Sequence, residues 1–298
     1  MKSIFFLLAF FVYTSAQAQK KIPPVNAADT VRDTDDSTRI KGHVYHVNFW
    51  GSLAIGVGGE AALLIAHTSA IKPPIVDQEF DAAQLPSNIA SINGFDRWVL
   101  KIGVPSRDYT YVAVGLQTVC AALPLSLLFG DRYRKNWDDI ILLMLETNAI
   151  ASDVFQFAPF GVYFQNRFRP LVYYAKDEAT RNKYRDGGYR NSLFSGHTTS
   201  AAASMYLMAK IYCDYNPQIQ GWDKVGIYSL ASIPVMAMGY LRIIALEHFP
   251  SDVLVGWVVG GMCGILVPEM HRIDNKNISL GVYSSPLSTG INFALNFK

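Results

Sequence analysis

Six apolar segments, at roughly 47–67, 110–129, 138–158, 199–213, 226–246 and 253–268, constrain this chain most. They are rich in Ala, Leu, Ile, Val and Gly, most are long enough for three or more helical turns, and none alternates as a strand would. The expected fold class is therefore all-α: a six-helix bundle. From 278 the pattern changes. Ile278-Ser-Leu-Gly-Val-Tyr and Gly290-Ile-Asn-Phe-Ala-Leu-Asn-Phe flank Ser-Ser-Pro-Leu-Ser-Thr, which predicts a short β-hairpin tail.

Charged residues are 17% of the chain, below the roughly 25% usual for soluble domains. That favours a membrane-embedded bundle. Asp139, Glu146 and Asp153 recur every seven residues in the third segment and share one helix face. A charge in the bilayer centre is costly, so this stripe must face the bundle interior, or the bundle is not in lipid. The net charge of +2 gives no reason to expect nucleic acid as a partner.

Residues 1–18 read as an export signal, with Lys2, an apolar run from Ile4 to Val12, and Ala16-Gln17-Ala18 before the cut. This fits a bacterial cell-envelope protein. A polar leader follows at 19–46, then a helical domain at 47–270 and the tail at 271–298. The loop Asp131-Arg-Tyr-Arg-Lys-Asn-Trp is basic and belongs in the cytoplasm by the positive-inside rule. Loop 159–198 and turn 247–252 then face the periplasm. The same count puts 19–46 in the cytoplasm, against a cleaved export signal. Either segment 47–67 does not cross, or the bundle lies partly or wholly in the periplasm.

Cys120, Cys213 and Cys263 sit singly in apolar segments, which suggests neither a disulfide framework nor a metal site. His43, His46, His67 and His271 lack further ligands nearby and read as structural or exposed. No metal or cofactor is expected.

Three motifs carry chemistry. The first is Asn166-Arg167-Phe168-Arg169-Pro170. The second is Ser195-Gly196-His197, opening an Ala-rich helix. The third is Arg242, His248 and Asp252, with Val253 opening the last segment. Ser251 or Asp252 is a natural helix N-cap, and Pro250 fixes the turn before it. A carboxylate at 252 can accept a hydrogen bond from one ring nitrogen of His248, leaving the other as nucleophile or base. Arg242, near the end of its helix, suits an anion. Gly196 and the helix start behind it suit a phosphate, and His197 is a second imidazole for general acid work. All these groups fall at one end of the bundle and converge on one pocket.

These residues resemble the type 2 phosphatidic acid phosphatase family over 162–252. Its signature is Lys, six residues, Arg-Pro; then Pro-Ser-Gly-His; then Ser-Arg, five residues, His, three residues, Asp. The resemblance implies a helical bundle and a phosphohistidine on His248, oriented by Asp252, with His197 protonating the leaving oxygen. It implies a phosphate cradle of Arg169, Arg242, Ser195 and Gly196. Three positions depart: Val162 for Lys, Phe194 for Pro and Leu241 for Ser. A lost phosphate-binding cation costs roughly 10²-fold by analogy with a lost oxyanion donor. Arg167, or the basic loop Lys176 to Arg190, is a candidate replacement. The resemblance implies hydrolysis of a lipid phosphate monoester or diphosphate, and the helix count from the basic loop places it in the inner membrane with the site facing the periplasm. The lipids in view are phosphatidic acid, phosphatidylglycerophosphate, a polyprenyl diphosphate and lipid A. A soluble periplasmic acid phosphatase and a non-catalytic phosphate-binding relative are the alternatives. A vanadate-holding haloperoxidase is disfavoured, since that role needs a full set of cations.

Overall fold

A ridge of three glycines sets the closest helix pairing. In the computed structural model, residues 43–67, 89, 92–102, 108–164, 167–174, 191–273, 278–284 and 289–295 are described. The long helices are α1 (Phe49–His67), α2 (Asp108–Ala122), α3 (Trp137–Phe157), α4 (Gly196–Tyr215), α5 (Gly221–Ile244) and α6 (Pro250–His271). They correspond to the six apolar segments. A 3-10 stretch, Leu123–Phe129, extends α2.

Gly256, Gly260 and Gly264 recur every four residues on α6 and lie against α4. A Cβ at these positions would come 2.6 Å from the Ser195 carbonyl oxygen, 2.1 Å from that of Thr199 and 2.5 Å from that of Ala203. Only glycine allows backbones that close, the small-residue contact typical of helices packed in membranes. On its other sides α4 meets α2, α3 and α5, so it is the central helix. Its buried side chains are mostly small: Ala201, Ala202, Ala203 and Ser204.

α1 runs parallel to α3. The Val47 amide donates to Asp139, the Ser52 hydroxyl donates to Glu146 at 2.5 Å, and a Cβ on Gly59 would lie 2.8 Å from Asp153. The acidic stripe therefore faces another helix, as a charge in an apolar bundle must. His271 of α6 also reaches Glu146, at 3.1 Å.

The two ends of the bundle differ. At one end Arg132 of the basic loop donates to the Tyr215 carbonyl at the C-terminus of α4, at 2.6 Å. The same end holds the chain before α1: the Tyr45 hydroxyl donates to Asp214 at 2.8 Å, and the His46 amide donates to the His271 carbonyl. Lys210 is buried there between Asp214 and Glu269. The motif residues at the starts of α4 and α6 occupy the opposite end. An α-helix rises 1.5 Å per residue, so the 20 residues of α4 separate the ends by about 30 Å.

Among the described residues, four helices are long and apolar enough to cross a membrane: Asp108–Phe129, Trp137–Phe157, Gly221–Ile244 and Pro250–His271. Less than half of each is buried inside the protein. Leu230, Ile233, Met236, Val258 and Met262 point outward as an apolar surface, too extensive for a protein face in water. The tail forms two antiparallel strands, β1 (Ile278–Ser284) and β2 (Thr289–Leu295), with Ser284 opposite Thr289. The export signal over 1–18, the leader up to residue 42 and loop Lys176–Arg190 lie outside the described residues.

Candidate active site

His248 stands on the turn between α5 and α6. Leu246 in that turn has φ 56°, and its carbonyl is held at 3.0 Å by the Leu171 amide. A left-handed leucine is strained, and such strain persists only where surrounding contacts over-determine it. The turn buries the imidazole to 3% exposure.

The Nδ1 of His248 lies 2.7 Å from the backbone carbonyl of Ser192. A carbonyl only accepts, so Nδ1 carries the proton and Nε2 keeps its lone pair. Asp252 does not make this bond. Its Oδ2 is 4.0 Å from Nδ1, beyond hydrogen-bond distance. Instead Oδ2 accepts from the Ser192 hydroxyl at 2.6 Å and from the Phe249 amide at 2.8 Å. The order is His248, Ser192, Asp252, rather than the direct pair expected from spacing. The helix also starts earlier than expected. Phe249 is the N-cap and Pro250 occupies the first turn, where its fixed φ suits a helix start, so Asp252 caps from the third position.

Ser192 is placed by pairing. Residues Arg167 and Asn191 form a parallel bridge, and the Ser192 amide donates to the Arg167 carbonyl at 3.0 Å. The Arg167 side chain turns toward α6. It donates to Ser251 at 2.8 Å, to Asp96 at 2.7 Å and to Asp252, and it lies 4.6 Å over the Phe249 ring. Its Nη1 and Nη2 are thus engaged with protein groups, which bears on its candidacy, beside the loop Lys176 to Arg190, for the place of the missing lysine. Val162, at the lysine position, is buried.

Arg169 donates to the Asn191 side chain at 3.1 and 3.0 Å and to Glu247. Arg242 is 3% exposed, and its Nη2 lies 3.6 Å from Glu247. Its Nε and Nη1 have no partner. Buried donors without acceptors are rare and call for an explanation; an unbound anion is one.

Ser195 caps α4, its hydroxyl accepting from the Thr198 amide, while its own amide donates to the Asp252 carbonyl at 3.1 Å. The two motifs are thereby joined. The first N–H groups of a helix lack intrahelical partners and suit an anion. A Cβ on Gly196 would meet the Phe155 ring at 2.8 Å, so packing also requires this glycine.

Burial holds His248 well below the usual imidazole range, and Arg169 and Arg242 push it further. Burial, and then Arg242, push His197 down to about 4, with Glu247 opposing. Both rings are neutral in the free site. A dianion entering among these cations would raise both.

Sequence spacing revealed none of Ser192, Asn191, Glu247 or Asp96. Ser192 and Asn191 lie just upstream of Ser195-Gly196-His197, but their bonding partners are 56 and 22 residues away. Among the described residues no group of three His, Cys, Asp or Glu side chains is placed to hold a metal ion.

The chain matches the family model of the PAP2 superfamily over residues 140–276. No curated protein matches it significantly. Among solved structures, a transmembrane PAP2-type phosphatidylglycerolphosphate phosphatase from Bacillus subtilis is similar at TM-score 0.39 and 21% identity, covering 72% of this chain and 94% of that one.

Proposed function

We propose that this protein is a membrane phosphatase that hydrolyses a lipid phosphate through a phosphohistidine on His248. The observation that carries the reading is Arg242, a buried guanidinium with two unpaired donors, electrostatically coupled to a neutral His248. An arginine so buried has no packing use for those donors, and a phosphate supplies the acceptors.

The reaction follows from the roles of the groups. Arg169, Arg242 and the amides at the start of α4 bind the phosphoryl oxygens. Ser195 and Gly196 shape that helix start. Nε2 of His248 attacks phosphorus, and the P–O bond to the lipid alcohol breaks. His197, protonated once the dianion is bound, gives its proton to the leaving oxygen. His197, now neutral, takes a proton from water, which attacks the phosphohistidine. The P–N bond breaks, inorganic phosphate leaves and the neutral imidazole returns. Asp252 holds the nucleophile in place through Ser192.

The lipid class is supported by the outward apolar faces of α5 and α6, which border the site and let acyl chains approach from the side. Phosphatidic acid, phosphatidylglycerophosphate, polyprenyl diphosphates and lipid A phosphates all fit this chemistry. The site lies at the end opposite the basic loop, which favours a periplasm-facing site in an inner membrane. The test is phosphate release from a panel of these lipids in detergent, comparing wild type with His248→Ala. The expected result is release by wild type only, with an acid-labile phosphoryl group trapped on His248. Equal release by both proteins would overturn the reading.

A further inference from the structure

Asp96 belongs to none of the three motifs and lies outside the matched residues 140–276. It sits on the short turn Gly94–Arg97, at the same end of the bundle as His248, and its side chain is fully buried. Both its oxygens are used. Oδ1 accepts from the Ser251 amide at 2.9 Å, and Oδ2 accepts from the Ser251 hydroxyl at 2.7 Å, Asn93 at 2.8 Å and Arg167 at 2.7 Å. Burial works against ionisation, yet these donors, Ser251 first, hold the carboxyl below its usual range. Asp96 is therefore an anion at neutral pH.

The Ser251 amide is one of the N–H groups that the start of α6 leaves without an intrahelical partner. Asp96 thus caps α6 from 155 residues away. It also fixes one edge of the Arg167 guanidinium while Asp252 fixes the other. A guanidinium pinned between two fully buried carboxylates has little freedom. Without Asp96 one edge loses its acceptor, and the guanidinium, only partly buried at 27% exposure, turns toward water or another acceptor. The rearrangement reaches Asp252, then the Ser192 hydroxyl it accepts from, then the Ser192 carbonyl that orients His248.

We propose that Asp96 is a positioning residue for the nucleophile, acting through Arg167, Asp252 and Ser192. This rests on His248 being the nucleophile, as proposed above. Asp96 does not touch the phosphate cradle of Arg169, Arg242 and the α4 amides, so its loss acts on kcat and not on binding.

The experiment compares wild type, Asp96→Ala, Asp96→Asn, Arg167→Ala and the Asp96→Ala/Arg167→Ala double variant in detergent. His248→Ala is the blank, and thermal melts verify folding. Three readouts apply: kcat and KM for a short-chain phosphatidic acid, inhibition by orthovanadate, and the imidazole ¹⁵N signals of His248, assigned by their loss in His248→Ala. Asp96→Ala is expected to lower kcat about 5- to 10-fold, no more than the loss of the Ser192 hydroxyl through which it acts. KM and vanadate inhibition stay within about twofold. Asp96→Asn keeps one acceptor oxygen and restores part of kcat. Arg167→Ala adds little to Asp96→Ala, because both break the same chain. The Nδ1–H pattern of His248 is present in wild type and disturbed in Asp96→Ala. Additive losses of kcat, or a raised KM with kcat unchanged, would overturn the proposal. So would an undisturbed ¹⁵N pattern. If wild type releases no more phosphate than His248→Ala, the phosphatase reading fails, and the ¹⁵N comparison still decides whether Asp96 positions the ring. Asp96→Asn serves this purpose if Asp96→Ala fails to fold.

Discussion

The Nδ1 of His248 meets the carbonyl of Ser192 at 2.7 Å, while the carboxylate of Asp252 stops at 4.0 Å. Asp252 works at one remove, by holding Ser192. Replacing Ser192 by Ala keeps the carbonyl and removes only the hydroxyl that donates to Asp252. One such hydrogen bond is worth about 1–1.5 kcal/mol, so turnover should fall about 10-fold. Asp252→Ala leaves the Phe249 amide and the Ser192 hydroxyl without their acceptor, takes one of the carboxylates from Arg167, and should cost about 10³- to 10⁴-fold, as orienting carboxylates do in other enzymes. Steady-state kinetics on both variants check this ranking; a Ser192→Ala loss equal to that of Asp252→Ala contradicts it.

The unpaired Nε and Nη1 of Arg242 predict stabilisation by anions. Orthovanadate at 100 times its Kd should add about 2.7 kcal/mol to the stability of wild type. Arg242→Gln should show little of this shift at the same concentration. Melting curves in detergent, with and without vanadate, make the measurement.

Gly260 should tolerate no side chain. A Cβ there would lie 2.1 Å from the Thr199 carbonyl, so Gly260→Ala must push α6 off α4. Overpacking of this kind costs about 1–3 kcal/mol. Activity should fall with it, since α4 carries His197 and α6 carries Asp252. Gly226 on α5 has nothing within 4 Å of its Cβ position, so Gly226→Ala should be neutral or slightly stabilising. Equal melting temperatures for the two variants would rule out the glycine contact as a determinant of the fold.

The acid side of the pH profile follows from the charge state of His248. The nucleophile must be neutral, and a pKa held below its ordinary value of about 6.5 moves the loss of activity to lower pH. The acid limb of kcat/KM, once substrate ionisation is divided out, should therefore lie below pH 6.5. Arg169 is one cause of the depression. Arg169→Gln should move the limb upward, toward 6.5, besides raising KM. A limb that stays fixed in this variant would mean that Arg169 does not act on the ring.

The six helices were legible because apolar periodicity survives in a single sequence. So was the inward direction of Asp139, Glu146 and Asp153, since a charge stripe on an apolar helix has few other places to go. The motifs were legible because their joint spacing is restrictive. The glycines at 256, 260 and 264 were equally visible in the sequence, but what they pack against was not. The destination of Arg167 was hidden for a similar reason. Its partner Asp96 is 71 residues upstream, and nothing along the chain marks the pair.

By itself, then, the sequence determined the helices, the residue types at the site and the end of the bundle where they gather. Those depend on local periodicity and on the parity of helix directions, which linear order records. The tertiary structure decided which atom meets which: that Ser192 holds His248, that Asp252 holds Ser192, and that Arg167 serves two carboxylates. Hydrogen bonds form or fail over about an ångström, as 2.7 against 4.0 Å does here. Distances of that size are set by how closely α4 and α6 can approach, not by spacing along the chain.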